Sequence, residues 1–392
     1  MCKNLLDKPV QDFINQNLGK DISALALQTN PFPAIDWKDI VQQIQSKQKC
    51  RAKLPTWFNT PNILYPPKIS VEQSSSEILA KHKSNSVSGK NLIDLTGGFG
   101  VDTYYFSREF EQVIHAEINA DLCQIVTHNS HQLNADNLKV YHGDGWQILQ
   151  NIDQKFDWIY IDPARRDNLK RKVFRLSDCT PNVTILLDEY FRFTKQILIK
   201  TAPLLDISQG INELKFVEKI EIISLNNEVK ELLWFLRKNY EGEPNLFVVD
   251  YGSDGTKRTL QTPLNDIESL QYQSPENFLY EPIPALMKSG CFNFIATHFG
   301  LQKIDLNSHL YTSDTLKDFW GRRFKINSVE VFSKATMKSW TNEKAHISCR
   351  NFPMKPEELR KKYKIKDGGE NYLFFTSIEN GKKKLVISCE KA

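Results

Sequence analysis

Short apolar runs alternate with helical segments through the middle of the chain. Four consecutive runs have the pattern of strands and span 91–94, 112–118, 138–144 and 156–162. Three more strand-like runs follow at 196–203, 217–225 and 246–251, with helical stretches such as 182–194 between some of them. Strands that alternate with helices form mainly parallel sheets with helices on both faces, so the pattern predicts a doubly wound α/β fold.

The regions on either side have different patterns. Residues 1–85 read mainly as short helices separated by prolines, and 70–80 reads as one capped helix before the first strand. The continuous apolar run 231–236 fits either a buried strand or a helix, and the polar stretch 252–274 reads as a link. Beyond residue 280, short β-like runs flank a basic helix at 355–366.

The first strand ends in a carboxylate and a glycine-rich turn. Asp94 closes the apolar run, and the turn contains Thr96, Gly97, Gly98 and Gly100. Glycine permits the sharp turn and the close approach of a ligand to the backbone, so the segment predicts a nucleotide-cofactor pocket. An ordinary strand-to-helix turn is the alternative for the glycines alone. An NAD-binding domain is disfavoured, because it needs a third glycine where this chain has Thr103.

The next three predicted strands also end in, or close to, a carboxylate. Glu117 follows Asp94 at about the 20-residue spacing at which a doubly wound fold binds a ribose diol. Asp144 and Asp162 end the following two strands, and Asp162 leads directly into Pro163-Ala-Arg-Arg166. Open α/β sheets bind ligands at the carboxyl ends of their strands, so these acids predict one site at one edge of the sheet.

This order of elements resembles the class I S-adenosylmethionine-dependent methyltransferases. The resemblance implies that the glycine turn holds the methionine part of S-adenosyl-L-methionine, Glu117 the ribose and Asp144 the adenine. The cofactor-binding residues that it implies are Asp94, Thr96, Gly97, Gly98, Gly100, Glu117, Asp144 and Asp162. Ser74, Ser75 and Ser76 are further candidates for the methionine side, with helix capping as the alternative interpretation.

Further motifs narrow the resemblance to a little-characterised bacterial family of class I methyltransferases. The motifs are Asp94–Asp102, Asp162–Arg166, Tyr280-Glu-Pro282, Arg350-Asn-Phe-Pro353 and 367–375. Members of this family carry a ferredoxin-like piece followed by a THUMP-like domain. The resemblance implies a helical region at 1–85, a methyltransferase domain at 86–274, a ferredoxin-like domain at 275–322 and a THUMP-like domain at 323–392. It also implies tRNA or rRNA as the substrate, by analogy with THUMP domains of RNA-modifying enzymes.

The resemblance implies that the Asp162–Arg166 motif, at the end of the fourth strand, faces the methyl acceptor. The catalytic candidates are Asp162, Pro163, Arg165 and Lys200. Methylation of a pyrimidine carbon is disfavoured, because it needs a thiolate and neither Asp162–Arg165 nor 200–203 contains a cysteine. A base nitrogen needs only an unstacked base held by acceptors such as Asp162, and this is the predicted target. Amino-methyltransferases have a second proline and an aromatic where this chain has Ala164 and Arg165, although an arginine plane also stacks on bases.

Ribose methylation is an alternative. Asp162, Lys200 and Glu228 are similar to part of the Lys-Asp-Lys-Glu tetrad of ribose 2′-O-methyltransferases, with Lys81 or Lys83 as the missing lysine. The other interpretation of Lys200 and Glu228 is a surface salt bridge. A protein or a small molecule as methyl acceptor is a third alternative.

Composition and charge predict the cellular compartment of the protein and a binding partner. The seven scattered cysteines include no Cys-x-x-Cys pair, and the N-terminus lacks the apolar core of a signal peptide, so we expect a cytoplasmic protein without metal or membrane binding. Residues 281–392 contain 20 basic and 12 acidic residues, which favours RNA binding over a merely solvated surface. The substrate-binding candidates are Arg165, Arg166, Glu228, Lys361 and Lys362.

Overall fold

The computed structural model describes residues 3–165, 175–266 and 270–392. The side chain of Arg165 also lies outside the described part. Contacts divide the chain into two units, one formed by 1–217 with 234–241 and the other by 218–233 with 242–392. The predicted domain boundaries do not coincide with this division and stay predictions.

The first unit begins with short helices, as the proline spacing predicted. After a 3-10 helix at Lys3–Leu6 come α1 (Lys8–Gln16), α2 (Ile22–Ala26), α3 (Trp37–Lys53), α4 (Pro55–Asn59), α5 (Lys68–Gln73) and α6 (Glu77–Asn85). The prediction of one helix over 70–80 is wrong, since α5 ends at Gln73. The Ser74 hydroxyl donates to the Val71 carbonyl at 2.9 Å, and a new helix begins after Ser76.

Strands and helices then alternate. The elements are β1 (Asn91–Asp94), α7 (Val101–Phe106), β2 (Gln112–Glu117), α8 (Ala120–Gln132), β3 (Leu138–His142), α9 (Gly145–Ile152), β4 (Trp158–Ile161), β5 (Ala164–Arg165), a 3-10 helix at Leu176–Asp178, β6 (Cys179–Thr180), α10 (Val183–Tyr190), β7 (Gln196–Thr201) and α11 (Ile207–Glu213). Strands β7, β4, β1, β2 and β3 lie side by side in that order, and all their pairs are parallel. The predicted doubly wound fold is confirmed. Because the strands are parallel, their carboxyl ends share one edge.

The N-terminal helices and the α/β layer share a core. Trp57 of α4 is 1% exposed, and its ring centroid lies 4.9 Å from that of Tyr104 and 6.1 Å from that of Tyr105. Both tyrosines belong to α7, the helix that follows the glycine turn. The helical region therefore packs against the element that fixes the end of the turn.

The chain continues with β8 (Val217–Leu225), β9 (Glu228–Arg237), β10 (Asn245–Tyr251) and β11 (Lys257–Thr262). These strands belong to the second unit except for Val217 and the end of β9 from Trp234, which belong to the first. The ambiguous run 231–236 lies in β9 and is a strand. The prediction of a link over 252–274 is wrong in part, because β11 pairs with β10 as an antiparallel hairpin. Alternate residues of β11 are exposed, which hid this edge strand among polar residues.

A seven-stranded sheet completes the second unit. Its elements are β12 (Phe278–Pro282), α12 (Pro284–Ser289), α13 (Phe292–Phe299), β13 (Gln302–Lys303), β14 (Tyr311–Ser313), β15 (Gly321–Val331), α14 (Lys334–Lys338), β16 (His346–Arg350), α15 (Pro356–Tyr363), β17 (Tyr372–Ile378) and β18 (Lys383–Lys391). The strand order is β13-β14-β12-β15-β18-β17-β16. Within the described residues, every helix is too short or too polar to cross a membrane.

Candidate active site

Asp94 lies beneath the glycine turn at the end of β1. It is 1% exposed, and its two carboxylate oxygens accept hydrogen bonds from the Thr96 amide at 2.9 Å and the Thr103 hydroxyl at 2.8 Å. Burial raises the pKa of Asp94 to about 7, and these hydrogen bonds offset the effect only in part. Asp94 therefore fixes the start of the turn against α7, while its contact with a cofactor stays a prediction.

The glycine turn packs tightly on the protein at two positions and is open at a third. A Cβ at Gly97 would lie 2.1 Å from the His115 ring, and a Cβ at Gly100 would lie 2.9 Å from Val126. Gly98 has no such neighbour, but its φ of +57° falls in the left-handed region. Burial lowers the pKa of His115 to about 3, so a neutral ring supports Gly97 from below. The backbone at Gly98 thus leaves room for a ligand.

Glu117 reaches the turn from the end of β2. Its Oε2 accepts a hydrogen bond from the Gly98 amide at 2.8 Å, and its Oε1 accepts one from the Asn119 amide at 2.7 Å. A carboxylate has about four acceptor sites, so these two bonds leave capacity for two hydroxyl groups. The free acceptor capacity of the Glu117 carboxylate and the open side of Gly98 fit a nucleoside.

Asp144 lies beside a cluster of aromatic side chains. The residue is exposed and caps α9, with Oδ1 accepting a hydrogen bond from the Gln147 amide at 3.0 Å. The Trp146 ring centroid lies 5.6 Å from that of Tyr190 and 6.0 Å from that of Phe193. Within the described residues, the buried Tyr190 hydroxyl has no hydrogen-bond partner. Burial raises the pKa of Tyr190, and the charge of Asp144 adds to the effect. The Asp144 carboxylate and the neighbouring aromatic side chains together suit the binding of a ligand with a heteroaromatic ring.

Two predicted catalytic residues form an ion pair. Asp162 follows β4 and Lys200 lies near the end of the adjacent β7, where their side chains meet. The Asp162 amide donates to the Thr96 hydroxyl at 2.7 Å, which ties this pair to the glycine turn. Pro163 is buried behind it. The pair and the cofactor candidates therefore occupy the same edge of the sheet.

A buried cluster of charged and polar groups lies next to this pair. The sequence did not predict that these groups form a cluster. Lys83 is fully buried, with Nζ 3.2 Å from Asp102 Oδ1 and 3.0 Å from the Ser75 hydroxyl. Asp102 Oδ2 accepts hydrogen bonds from the Ser75 and Tyr160 hydroxyls, each at 2.9 Å. Burial opposes ionisation of Asp102, but Lys83 and Lys200 together hold its pKa below the usual range. The electrostatic influence of Lys200 places the ion pair near this buried cluster.

Sequence signals for these residues were present but incomplete. Asp102 ends the Asp94–Asp102 motif, and Lys83 was named as a candidate for the missing tetrad lysine. Lys81, the other candidate, instead pairs with Glu77 at 2.9 Å. Ser75 was proposed as a cofactor contact, but its hydroxyl donates to Asp102. Only the folded chain brings α6, α7 and β4 to one point.

The remaining substrate candidates lie elsewhere. Arg166 and the side chain of Arg165 lie outside the described residues. Glu228 belongs to the second unit, where it is exposed and pairs with Lys230. Lys361 and Lys362 are exposed on α15. Their contact with a substrate stays a prediction.

Family models match three successive parts of the chain. A model described as conserved hypothetical protein 95 matches residues 58–189. A ferredoxin-like domain model matches residues 278–319, and a THUMP domain-like model matches residues 321–391. No curated protein gives a significant match.

Solved structures add a full-length relative. The crystal structure of a protein from Porphyromonas gingivalis W83, provisionally described as a methyltransferase, has 30% sequence identity and a TM-score of 0.87, covering 100% of this chain and 98% of that chain. TrmK from M. capricolum, solved with S-adenosyl-homocysteine, has 9% identity and a TM-score of 0.33, covering 41% and 68% of the two chains. The M. jannaschii tRNA m1G37 methyltransferase has 13% identity and a TM-score of 0.30, covering 43% and 51%.

The fold and the full-length match define a class I methyltransferase. The chain belongs to the family in which this fold is followed by a ferredoxin-like domain and a THUMP-like domain. The predicted family is therefore confirmed.

Proposed function

We propose that this protein transfers the methyl group of S-adenosyl-L-methionine to a base nitrogen of tRNA or rRNA in the cytoplasm. The observation that carries the proposal is the meeting of the glycine turn, Glu117 and the Asp162–Lys200 pair at one sheet edge. The cysteines that the structure describes are free thiols, which is consistent with a reducing compartment.

The cofactor side of the proposal is supported by the chemistry of the first three strand ends. Glu117 has acceptor capacity for a ribose diol, and Asp144 with Trp146 offers a polar and an aromatic contact for adenine. The open backbone at Gly98 leaves room for the methionine part. When bound, the cofactor supplies an electrophilic methyl group. Asp94 contributes indirectly, since its hydrogen bonds to Thr96 and Thr103 fix the turn.

The acceptor side is supported by Asp162. Its side chain is 34% exposed, so a substrate can reach the carboxylate although Lys200 is in contact with it. We expect Asp162 to accept a hydrogen bond from an N–H group of the base and so to aim the nitrogen lone pair at the methyl group. Pro163 restricts the neighbouring backbone, and the contact with Lys200 orients the carboxylate.

The Asp162–Lys200 contact also favours the second candidate, ribose 2′-O-methylation. Asp102 is influenced electrostatically by both Lys83 and Lys200, so two lysines and Asp162 occupy one neighbourhood. A lysine near a ribose hydroxyl would favour its ionised form. Glu228, the fourth predicted member, is exposed and pairs with Lys230, which weakens the complete tetrad. The base nitrogen therefore remains the preferred target.

The choice of RNA is supported by charge. Residues 281–392 carry the excess of basic residues, and Lys361 and Lys362 are exposed there on α15. Phosphate neutralisation by lysine and arginine provides most sequence-independent affinity for nucleic acids. We propose that this part of the chain binds the RNA backbone.

The test incubates the full-length protein and methyl-labelled S-adenosyl-L-methionine with a whole extract of cells that lack the gene, from which RNA, protein and small molecules are then separated. Nucleoside mass spectrometry then locates the label. Label on a base fragment supports the preferred function, and label on the ribose fragment supports the alternative. Label in a protein or small-molecule fraction but not in RNA refutes both. Asp162→Ala is the inactive control, and Asp136→Asn, at an exposed carboxylate, is the matched neutral change.

A further inference from the structure

One face of the seven-stranded sheet combines cations with aromatic rings. Side chains alternate between the two faces of a strand, and the registers place the following residues on one face: Arg322 and Phe324 of β15, His346, Ser348 and Arg350 of β16, Tyr372 and Phe374 of β17, and Lys391 of β18. We call this the Arg322 face. The basic helix α15 contributes Leu359 to the cluster on the other face, with Leu373 and Phe375.

A buried glutamate joins two arginines of the Arg322 face. Glu281 Oε1 accepts hydrogen bonds from Arg350 Nε at 3.1 Å and Nη2 at 2.7 Å, and its Oε2 accepts one from Arg322 Nε at 2.6 Å. The Glu281 side chain is 5% exposed, whereas the side chains of Arg322 and Arg350 are 45% and 39% exposed. One carboxylate thus orients two guanidinium groups, and a net positive charge remains at the surface.

This contact also shows that the sheet curls. Glu281 lies on β12 and Arg350 on β16, four positions apart in the strand order. A flat sheet would separate these strands by about 19 Å, which exceeds the reach of the two side chains. Their hydrogen bonds therefore require curvature, and the Arg322 face is its concave side.

The aromatic rings of the Arg322 face lie next to its arginines. Arg322 lies over the rings of Phe324 and Phe374, at 5.5 and 5.9 Å from their centroids. Both phenylalanines are fully buried in a hydrophobic cluster that includes Leu279 and Leu310, so the exposed part of the Arg322 face lies beside this cluster. The Phe324 ring centroid lies 4.9 Å from that of Tyr372, which is stacked on His346 at 4.8 Å with an interplanar angle of 27°.

His346 is the exposed end of this stack. Its side chain is 43% exposed, so a further planar group has room beside it. Lys391 lies over the Tyr372 ring at 5.9 Å and, among the described residues, forms no ion pair. Among the described residues, the acid that pairs with His346 is Asp367, at 3.8 Å, and this acid is also bound by Arg360 at 2.6 Å. Positive charge therefore dominates around the stack.

We propose that the Arg322 face binds single-stranded RNA. The phosphates contact Arg322, Arg350 and Lys391, and one base extends the Tyr372–His346 stack. Aromatic rings among cations are the pattern by which proteins bind single strands, because each base offers a π face and each linkage a negative charge. The inference rests on the proposed RNA substrate and adds the binding surface, which is separate from the lysines of α15.

The test uses variants that leave Glu281 paired, because loss of either arginine would leave a buried charge with one partner fewer and disturb the fold. Lys391→Gln removes one positive charge from the Arg322 face. Lys325→Gln is its matched control, since Lys325 neighbours Phe324 on β15 and lies on the opposite face, paired with Glu390 at 3.4 Å. His346→Ala removes the stacking ring, and His346→Phe restores a ring without the imidazole.

The measurement is fluorescence anisotropy of the full-length protein with a labelled single-stranded RNA of about 12 nucleotides at several salt concentrations. We expect Lys391→Gln to reduce the slope of log affinity against log salt by about 0.7 and Lys325→Gln to leave it unchanged. We expect His346→Ala to weaken binding at least about 5-fold and His346→Phe to retain it.

Two outcomes overturn the proposal, and they differ in what else they overturn. If the wild type binds the RNA but Lys391→Gln and His346→Ala behave like Lys325→Gln, the surface is wrong while the proposed function stands. If the wild type binds no RNA and instead binds an acidic peptide through Lys391, the RNA assignment and the proposed function both fail.

Discussion

Asp94 is predicted to make the stability of the first unit depend on pH. Its carboxyl is 1% exposed, and burial raises its pKa from 3.8 to about 7. The protonated form is therefore favoured in the folded state. A carboxyl whose folded pKa is raised contributes stability at low pH, and that contribution is lost as the pH rises from the unfolded pKa through the folded one.

The magnitude follows from the two pKa values. The difference corresponds to roughly 4 kcal/mol of unfolding free energy between full protonation and full ionisation. Between about pH 5 and about pH 8 the expected loss is roughly 2 to 3 kcal/mol. Asp94→Asn removes the titratable carboxyl group and keeps the shape of the side chain. Its amide can accept from Thr96 and donate to the Thr103 hydroxyl, so the network of hydrogen bonds is preserved.

The assay is urea denaturation at both pH values, read by hydrogen exchange of peptides covering residues 91–100. A local readout is needed because a chain with two units need not unfold in one step. We expect the stability of Asp94→Asn relative to the wild type to rise by roughly 2 to 3 kcal/mol from about pH 5 to about pH 8. Asp136→Asn, at an exposed carboxylate, is the control and should give no such change. Parallel curves for Asp94→Asn and the wild type would refute the reasoning.

Three further predictions concern the candidate site. Glu117→Ala removes the acceptor of the Gly98 and Asn119 amides, so calorimetry should show S-adenosyl-L-methionine binding weakened about 10-fold or more. The control Glu111→Ala, at an exposed carboxylate, should bind the cofactor normally, and equal affinities of the two variants would contradict the ribose assignment. Gly97→Ala places a Cβ 2.1 Å from His115, whereas at Gly19 a Cβ meets no atom within 4 Å and only the φ of +88° opposes the change. The melting temperature of Gly97→Ala should therefore fall well below that of Gly19→Ala, and similar values would show that the turn adjusts easily to the added Cβ. Asp162→Ala should slow single-turnover methyl transfer about 100-fold and leave cofactor binding intact; loss of cofactor binding in a folded variant would move Asp162 to the cofactor side.

Local chemistry explains why the sequence predicted the sheet and the cofactor edge. The alternation of apolar runs and helices, the turn from Asp94 to Gly100 and the carboxylate at Glu117 are all visible within short segments. Parallel strands align their carboxyl ends, so the order of these motifs along the chain also predicts that they meet. The structure confirms the fold and brings Glu117 to Gly98 at 2.8 Å.

Weak local patterns explain the wrong predictions. The serines at 74–76 look like part of a helix, but the Ser75 hydroxyl binds Asp102 and the backbone there leaves the helix. Strand β11 is polar on its exposed face, as an edge strand can be, and so resembled a link. The run 231–236, apolar after Glu231, was left open between strand and helix, and only its place in the sheet decides that it is a strand.

The sequence by itself determined the fold class, the family and the order of the strand-end acids, because each depends on periodicity and on residues close together in the chain. The tertiary structure alone decided which charges pair in the interior. Glu281 meets Arg350 across 69 residues, Lys83 meets Asp102 and Ser75, and His115 comes to lie under Gly97. Such contacts depend on how helices and strands from distant segments pack, and a buried charge is stable only where that packing supplies its partner.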